Sequence, residues 1–291
     1  MLHGARLPRR SAIIAGMSTV DPASPASRRR SWVPRLLLIC LALGVLLVWL
    51  IYTPHGLLGK ADAVGYAVCH QIDLRSFHLG ERPMPMCSRC TGMYLGASVA
   101  FVFLVARGRV LAGQFPRRGI LAVFFVLAAF FAIDGLNSYL AFFPGAPHLY
   151  TPNNTLRLLA GTGLGLGMGV LVLSGFNQSV WTQVDSSRSL ESWTDLVLLT
   201  LAALGVDLLV LTENPLVLYP LALVSSLGVV VLLTIVYTML ALLLSGRENK
   251  VAHPRQLLLP ALVGLILAML QIAGLDVVRY ALTGTWSGFA L

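Results

Sequence analysis

The chain is poor in charge. Only 11% of its 291 residues are Asp, Glu, Lys or Arg, whereas a soluble domain carries about 25%. Acidic residues are the rarer sign, 12 against 21 Lys and Arg, and the net charge is +9. Hydrophobic residues make up 57%, and the mean hydropathy is +0.80. So few charges do not cover a water-facing surface, so the composition excludes a soluble globular protein and predicts an integral membrane protein.

Common signatures of enzymes and haem proteins are also missing. The chain has no G-x-S-x-G, H-E-x-x-H or Walker pattern, and its C-x-x-C pair is followed by Thr91 rather than His, which excludes covalent haem attachment. The sequence therefore leaves catalytic residues unknown and does not decide whether the protein is an enzyme. The Lys and Arg residues lie in short connections and an N-terminal tail, where they act as topology signals. We expect the lipid bilayer as a partner, and no nucleic acid.

Seven apolar stretches are long enough, or nearly so, to cross about 30 Å of hydrocarbon as α-helices. They lie near residues 36–52, 91–106, 119–143, 155–175, 193–211, 217–244 and 257–280. We therefore predict an all-α fold, a polytopic membrane helix bundle of about seven transmembrane helices with a cysteine-rich loop outside the membrane.

The spans group into units along the chain. Residues 1–34 are rich in Arg, Ser and Pro and are expected to form a disordered, basic cytoplasmic tail. A four-helix unit, 35–175, follows and contains the loop 53–90, here called the cysteine loop. A cytoplasmic linker, 176–192, leads to a three-helix unit, 193–291.

Two features of the N-terminal region stay open. The true start is either Met1 or Met17, because Met17 opens a second plausible beginning. The first span is expected to be a retained signal anchor rather than a cleaved signal peptide, since the nearest small-residue site lies well past the apolar region.

The distribution of basic residues predicts an orientation. They gather before the first span and after the second, fourth and sixth spans, whereas the segments after the third, fifth and seventh contain no Lys or Arg. The positive-inside rule then places the N-terminus in the cytoplasm, and the cysteine loop and the C-terminus outside the cytoplasmic (inner) membrane. The loop opposes this assignment with four basic residues, which acids balance in part: Lys60, Arg75, Arg82 and Arg89.

Three of the four cysteines lie in the cysteine loop. Cys69 precedes His70, and Cys87 and Cys90 form the C-x-x-C pair. His78 lies in sequence between His70 and Cys87. Thiolate and imidazole are common ligands of soft metal ions, and a C-x-x-C pair is also a common dithiol redox unit. The fourth cysteine, Cys40, lies in the first span and is expected to be a packing residue.

The residues around these cysteines form a wider pattern. The chain reads Cys69-His70-Gln71, then Arg75-Ser76, then Pro85-Met86-Cys87-Ser88-Arg89-Cys90-Thr91-Gly92-Met93-Tyr94-Leu95-Gly96, and later Asp134-Gly135 and Asn154-Thr155-Leu156-Arg157. Over about residues 60–175 it resembles the bacterial membrane proteins of domain-of-unknown-function family 2085. The chain departs from that pattern at Asn137, where Gln is expected. The resemblance implies a multi-pass membrane protein and carries no assigned reaction.

Three functional hypotheses remain. The first is a zinc-like metal site, with Cys69, Cys87 and Cys90 as ligands and His70, His78 or an exogenous ligand in the fourth position. The second is a membrane thiol-disulfide oxidoreductase using Cys87 and Cys90, with quinone as an electron acceptor. The third is a scaffold that binds an anionic lipid or a partner. Its anion-binding residues are Arg75, Arg89 and Arg157.

Polar and small residues in the spans suggest how the helices meet. Asp134 and Arg157 are predicted to form an ion pair, and so are Asp276 and Arg279. G-x-x-x-G spacings predict close packing of the second and fourth spans, with Arg89 near Arg157. The glycines concerned are Gly92, Gly96, Gly161, Gly165 and Gly169. Gln71 is expected to support the cysteine site.

Overall fold

The computed structural model describes residues 25–143 and 145–288, with side chains from residue 33 onward. Over these ranges the chain forms eight α-helices joined by short connections. They are α1 Pro25–Tyr52, α2 Gly56–Val68, α3 Ser88–Ala106, α4 Arg118–Leu140, α5 Asn154–Val180, α6 Trp193–Leu211, α7 Pro215–Leu244 and α8 Pro254–Thr283.

Seven of the helices in the described ranges are long and apolar enough to cross a membrane. They are the Val33–Tyr52 part of α1 and the whole of α3 to α8. Each predicted span coincides with one of them to within a few residues. The prediction of an all-α bundle of about seven transmembrane helices is confirmed.

The chain divides into two compact units, residues 1–37 and 38–291. In the first unit, α1 begins at Pro25, so residues 25–34 are helical where the sequence suggests the end of a disordered tail. Residues 1–24 lie outside the described residues, and so do both candidate start positions, Met1 and Met17. In the second unit, the side chain of Cys40 is exposed, so the expectation that it packs inside the protein is wrong.

Helices α3 and α5 form the most extensive helix pair, and glycine makes their contact possible. A Cβ atom on Gly161 would lie 2.1 Å from the carbonyl oxygen of Arg89, and one on Gly165 would lie 2.1 Å from that of Met93. Because real Cβ atoms do not approach backbone oxygens so closely, only glycine fits at these points. The predicted packing of the second and fourth spans is confirmed.

Helix α2 is an element that the apolar pattern did not predict. It fills much of the first part of the cysteine loop and buries Ala63 and Tyr66 in contact with α7 and α8. The Nζ atom of Lys60 turns back to the end of α1, where it donates to the carbonyl oxygen of Thr53 at 3.0 Å. A lysine at this place compensates the unpaired carbonyl groups of a helix C-terminus.

Two small sheets join the connections between helices. In the cysteine loop, β1 His78–Leu79 and β2 Arg82–Pro83 form an antiparallel hairpin. Elsewhere, β3 Ala112–Gln114 pairs in parallel with β4 Asp185–Arg188. Helix α5 continues to Val180, so the expected linker 176–192 is part helix and part strand.

Acidic and basic side chains meet where α3 ends and α6 begins. The carboxylate of Asp195 accepts from Arg107 Nη2 at 2.8 Å and from Arg109 Nη1 at 2.7 Å. Arg109 Nη2 also lies 3.0 Å from the carboxylate of Glu191. Asp195 belongs to a capping box with Ser192 that begins α6. We call these four charged residues the balanced cluster, because two cations meet two anions.

Candidate metal centre

The three cysteines of the cysteine loop come together in space. Cys69 follows the last residue of α2, Cys87 directly precedes α3, and Cys90 lies in the first turn of α3. Their sulfur atoms all lie within 4.8 Å of one another. All three are free thiols; Cys69 and Cys87 are buried, and Cys90 is partly buried. We call this group the cysteine trio.

Gln71 holds the two cysteine-bearing segments against each other. Its Nε2 atom donates to the carbonyl oxygen of Asp62 at 2.9 Å and to that of Pro85 at 2.8 Å. The backbone of Gln71 has a φ of 52°, which turns the chain sharply just after α2. Gly65 permits the contact, since a Cβ atom there would lie 1.9 Å from the Pro85 carbonyl oxygen.

Helix α8 fixes the other side of the trio. Arg279 Nη1 donates to the carbonyl oxygens of Tyr66 at 2.7 Å and Cys69 at 2.6 Å, and Nη2 donates to that of His70 at 3.2 Å. Its guanidinium also lies 3.9 Å from the ring centroid of Tyr66. Asp276, the predicted partner of Arg279, accepts a hydrogen bond from Trp49 Nε1 at 3.1 Å. Arg279 therefore binds the end of α2, which carries Cys69.

Backbone amides point at the sulfur of Cys69. The N–H of Cys87 donates to it at 3.3 Å and the N–H of Gln71 at 3.5 Å. Donors of this kind stabilise negative charge on sulfur, as does the N-terminus of α3. The trio is electrostatically suited to thiolates.

Hydrogen bonds among the thiols shift the pKa values of Cys69 and Cys87 in opposite directions. Hydrogen bonds from Cys69 and Cys90, and then from His70, hold the pKa of Cys87 well below its usual range. The hydrogen bond to Cys87 is the main reason that the pKa of Cys69 rises to about 12. Negative charge is therefore favoured at Cys87 over Cys69.

The two histidines occupy different places. His70 contributes to the lowered pKa of Cys87, and its Nδ1 atom accepts from the N–H of Ile72 at 3.2 Å. His78 lies on the hairpin, with Nε2 3.1 Å from a carboxylate oxygen of Asp73. Neither histidine belongs to the 4.8 Å group of sulfur atoms, but the structure brings His70 to the trio and leaves His78 apart from it.

Next to the trio, Arg89 extends from the first turn of α3 to α4. Its Nε and Nη2 atoms lie 3.0 and 2.5 Å from Oδ2 of Asp134, which is fully buried. The predicted ion pair of Asp134 with Arg157 is therefore wrong. Arg157 Nη1 donates instead to Oδ1 of Asn154 at 2.9 Å. Glycine brings α3 close to α5, and as a result Arg89 rather than Arg157 contacts Asp134, next to Gly135.

Comparison with known proteins identifies the family of the segment that carries this site. Residues 69–171 match the family described as predicted membrane protein (DUF2085). A protein of Methanothermobacter thermautotrophicus (strain Delta H), named only as an uncharacterized protein, is 33% identical over 106 residues, which are 36% of this chain and 83% of the relative. The chain belongs to the DUF2085 family. No solved structure matches it.

The DUF2085 match covers the cysteine trio, Arg89, Asp134 and Arg157, and it ends within α5. Helices α6 to α8 lie beyond it, and so does Arg279. The trio and its arginines are recognisable in the sequence, whereas the contacts of two further residues, Tyr150 and Arg279, are not. Tyr150 donates its hydroxyl hydrogen to Oδ1 of Asp134 at 2.7 Å, and nothing in the local sequence marks it. Arg279 is recognisable in the sequence as a charged residue inside an apolar helix, but the groups to which it donates cannot be predicted from the sequence.

Proposed function

We propose that this DUF2085 protein binds a zinc-like metal ion through the thiolates of Cys69, Cys87 and Cys90. The observation that carries the proposal is the approach of the three sulfur atoms to within 4.8 Å of one another. The three ligands come from two separate segments of the chain, the end of α2 and the start of α3. Three thiolates suit zinc and similar soft ions in tetrahedral geometry.

The fourth position is proposed to take an exchangeable ligand such as water. His70 is adjacent in sequence to Cys69, and its ring nitrogens lie outside the group of ligand atoms. A hydrogen bond from His70 to Cys87 would orient that thiolate, as outer partners of metal ligands commonly do. A site with one open position is reactive, whereas a closed four-ligand site only stabilises the fold.

The metal site is proposed to face the outside of a bacterial inner membrane. This follows from the positive-inside rule, applied to the seven spans with the N-terminus in the cytoplasm. A reporter enzyme fused after Leu291 should be active only if it is exported. Activity in a cytoplasmic assay would reverse the orientation.

Elemental analysis of protein purified without chelators tests the metal proposal. We expect about one zinc-like ion per chain, and a loss of most of that metal in the Cys87→Ser variant. Cys40→Ser is the matched control, because Cys40 is exposed on α1, and it should keep the metal. Wild-type protein with no metal above background would contradict the proposal.

The same preparation tests the thiol-redox alternative, which the low pKa of Cys87 favours. Two thiols, Cys87 and Cys90, would give up two electrons and two protons to a quinone, forming one disulfide and a quinol. Metal-free protein that loses two titratable thiols on adding quinone would support this function in place of the metal site.

A further inference from the structure

Three arginines converge on one residue of α4. Arg75 Nη2 donates to the carbonyl oxygen of Ser138 at 2.8 Å. Arg89 Nη2 and Arg157 Nε donate to its hydroxyl oxygen at 3.0 and 3.4 Å. We call Arg75, Arg89 and Arg157 the arginine cluster. They come from a loop turn, from α3 and from α5.

The cluster holds more positive than negative charge. Its single carboxylate, Asp134, already binds Arg89 through one oxygen and Tyr150 through the other. The next acid along the loop, Asp73, lies against His78. Among the described residues, three guanidinium groups against one carboxylate leave two positive charges without a carboxylate partner.

The three arginines of the cluster lie close enough for their charges to act on one another. Burial, followed by the charges of Arg157 and Arg89, lowers the pKa of Arg75 to about 10. Like charges held together in a partly buried place disfavour one another, unless a counter-ion joins them.

Two of the three arginines keep free donors. Arg75 uses only Nη2 for a hydrogen bond within the described residues, and its guanidinium carbon lies 3.5 Å from the ring centroid of Phe142. Arg157 uses Nε and Nη1, so its Nη2 has no protein acceptor in the described part of the chain. The free N–H groups belong to arginines that converge on Ser138, and planar guanidinium groups bind phosphate through paired hydrogen bonds.

We propose that Arg75 and Arg157 bind a phosphate monoester or inorganic phosphate, with Arg89 and Asp134 positioning the site. A phosphate monoester carries a charge of about −1.5 to −2 at pH 7, close to the excess of two positive charges. Arg157 lies near the start of the span Asn154–Val180, and Ser138 lies near the end of Arg118–Leu140. The site is therefore at the membrane boundary, where both a lipid headgroup and a soluble phosphate have access.

Binding measurements on the purified full-length protein separate these two sources. One arm titrates sodium phosphate into protein in a zwitterionic detergent, at fixed ionic strength against sodium chloride. The other places the protein in phosphatidylcholine nanodiscs with and without phosphatidic acid. Saturable binding in the first arm identifies a soluble phosphate, and specific enrichment of phosphatidic acid in the second alone identifies a lipid headgroup.

Substitutions locate the site. Arg75→Gln and Arg157→Gln should each weaken binding about tenfold or more, which is the loss of roughly 1.4 kcal/mol. Arg82→Gln is the matched control and should change binding less than about twofold. Arg82 lies on the same loop and pairs with Asp62, outside the cluster. If either Gln variant does not fold, Arg75→Lys and Arg157→Lys replace it, and each should still weaken binding because the paired donors are lost.

Two results would overturn the proposal. The first is no saturable phosphate binding together with no enrichment of phosphatidic acid. The second is equal affinity in wild-type protein and in every folded variant of Arg75 and Arg157, which would indicate non-specific charge attraction. Metal content is measured in the same samples, so a failure of the phosphate site is distinct from a failure of the metal site.

Discussion

The two ends of α3 carry arginine groups of opposite design. At its C-terminal end, in the balanced cluster, Arg107 and Arg109 meet two carboxylates. At its N-terminal end, three arginines meet only Asp134. Both groups tie neighbouring segments together, yet only one neutralises its own charge. The comparison shows one ion network that is neutral within the described residues and one that keeps an excess of positive charge, which is where we propose that an anion binds.

Each charged residue of the balanced cluster has a partner of opposite charge. Asp195 is 1% exposed, and both of its carboxylate oxygens bind arginine. Oδ2 also accepts from the backbone N–H groups of Glu191 at 3.1 Å and Ser192 at 3.2 Å. Each carboxylate oxygen of Asp195 has at least one donor among the described residues, so this end of α3 offers little to a ligand.

The largest effect is expected from Asp134→Asn. This change leaves Arg89, Arg75 and Arg157 without a carboxylate, and an uncompensated buried charge typically costs about 3–5 kcal/mol. The free energy of unfolding, measured by detergent-to-SDS titration, should fall by that amount. Phosphate at saturating concentration should restore part of the loss. A loss below about 1 kcal/mol would show that the arginines are solvated and that the cluster is not strained.

Asp195→Asn is expected to cost slightly less, about 3 kcal/mol, at the lower end of the range for a broken buried pair. Arg107 is 45% exposed, so water can compensate part of its charge. Phosphate should not restore stability here, because Glu191 remains beside Arg109. Equal rescue by phosphate in Asp134→Asn and Asp195→Asn would remove the distinction between the two ends.

Glu191→Gln, at a half-exposed pair, should cost less than about 1 kcal/mol.

The close contact of α3 with α5 at Gly161 and Gly165, here called the glycine seam, holds the arginine cluster together. Gly161→Ala should cost about 1–3 kcal/mol by overpacking, since its Cβ would press on the Arg89 carbonyl oxygen. Gly175→Ala, in the same helix with nothing within 4 Å of its Cβ, is the matched control. It should be neutral or stabilising by up to about 1 kcal/mol. Thermal melting in detergent measures both, and equal behaviour of the two variants would contradict the seam.

Much of this architecture was readable from the sequence for simple physical reasons. Crossing a bilayer demands length and apolarity together, so the seven spans are visible without any knowledge of packing. The glycine spacing revealed the α3–α5 contact because few other patterns place backbones so close. The cysteine trio was readable because thiols are rare in this chain and converge only if the loop folds back.

Other features depended on geometry that no local pattern carries. Helix α2 has 13 residues, too short for a span, so hydropathy alone does not separate it from a loop. The sequence contains two arginines that could pair with Asp134, Arg89 and Arg157. The close packing of α3 against α5 determines that Arg89 is the partner. The choice between His70 and His78 depended on the hairpin, which moves His78 toward Asp73.

The smallest effect is expected in a comparison of two double-mutant cycles around Asp134. Arg89 is in direct contact with Asp134 and Arg157 is not. The cycle Asp134→Asn with Arg89→Leu should therefore give a coupling energy of about 1–3 kcal/mol, whereas the cycle with Arg157→Leu should give about 0.5 kcal/mol or less. Arg157→Leu loses its bonds to Asn154 and Ser138 but relieves repulsion, so its own cost should be modest. Both cycles are measured by SDS titration in phosphate-free buffer, so that no bound anion masks the coupling. Equal coupling in the two cycles would mean that Asp134 neutralises Arg157 as well, and the contrast between the two ends of α3 would then be smaller than the contacts indicate.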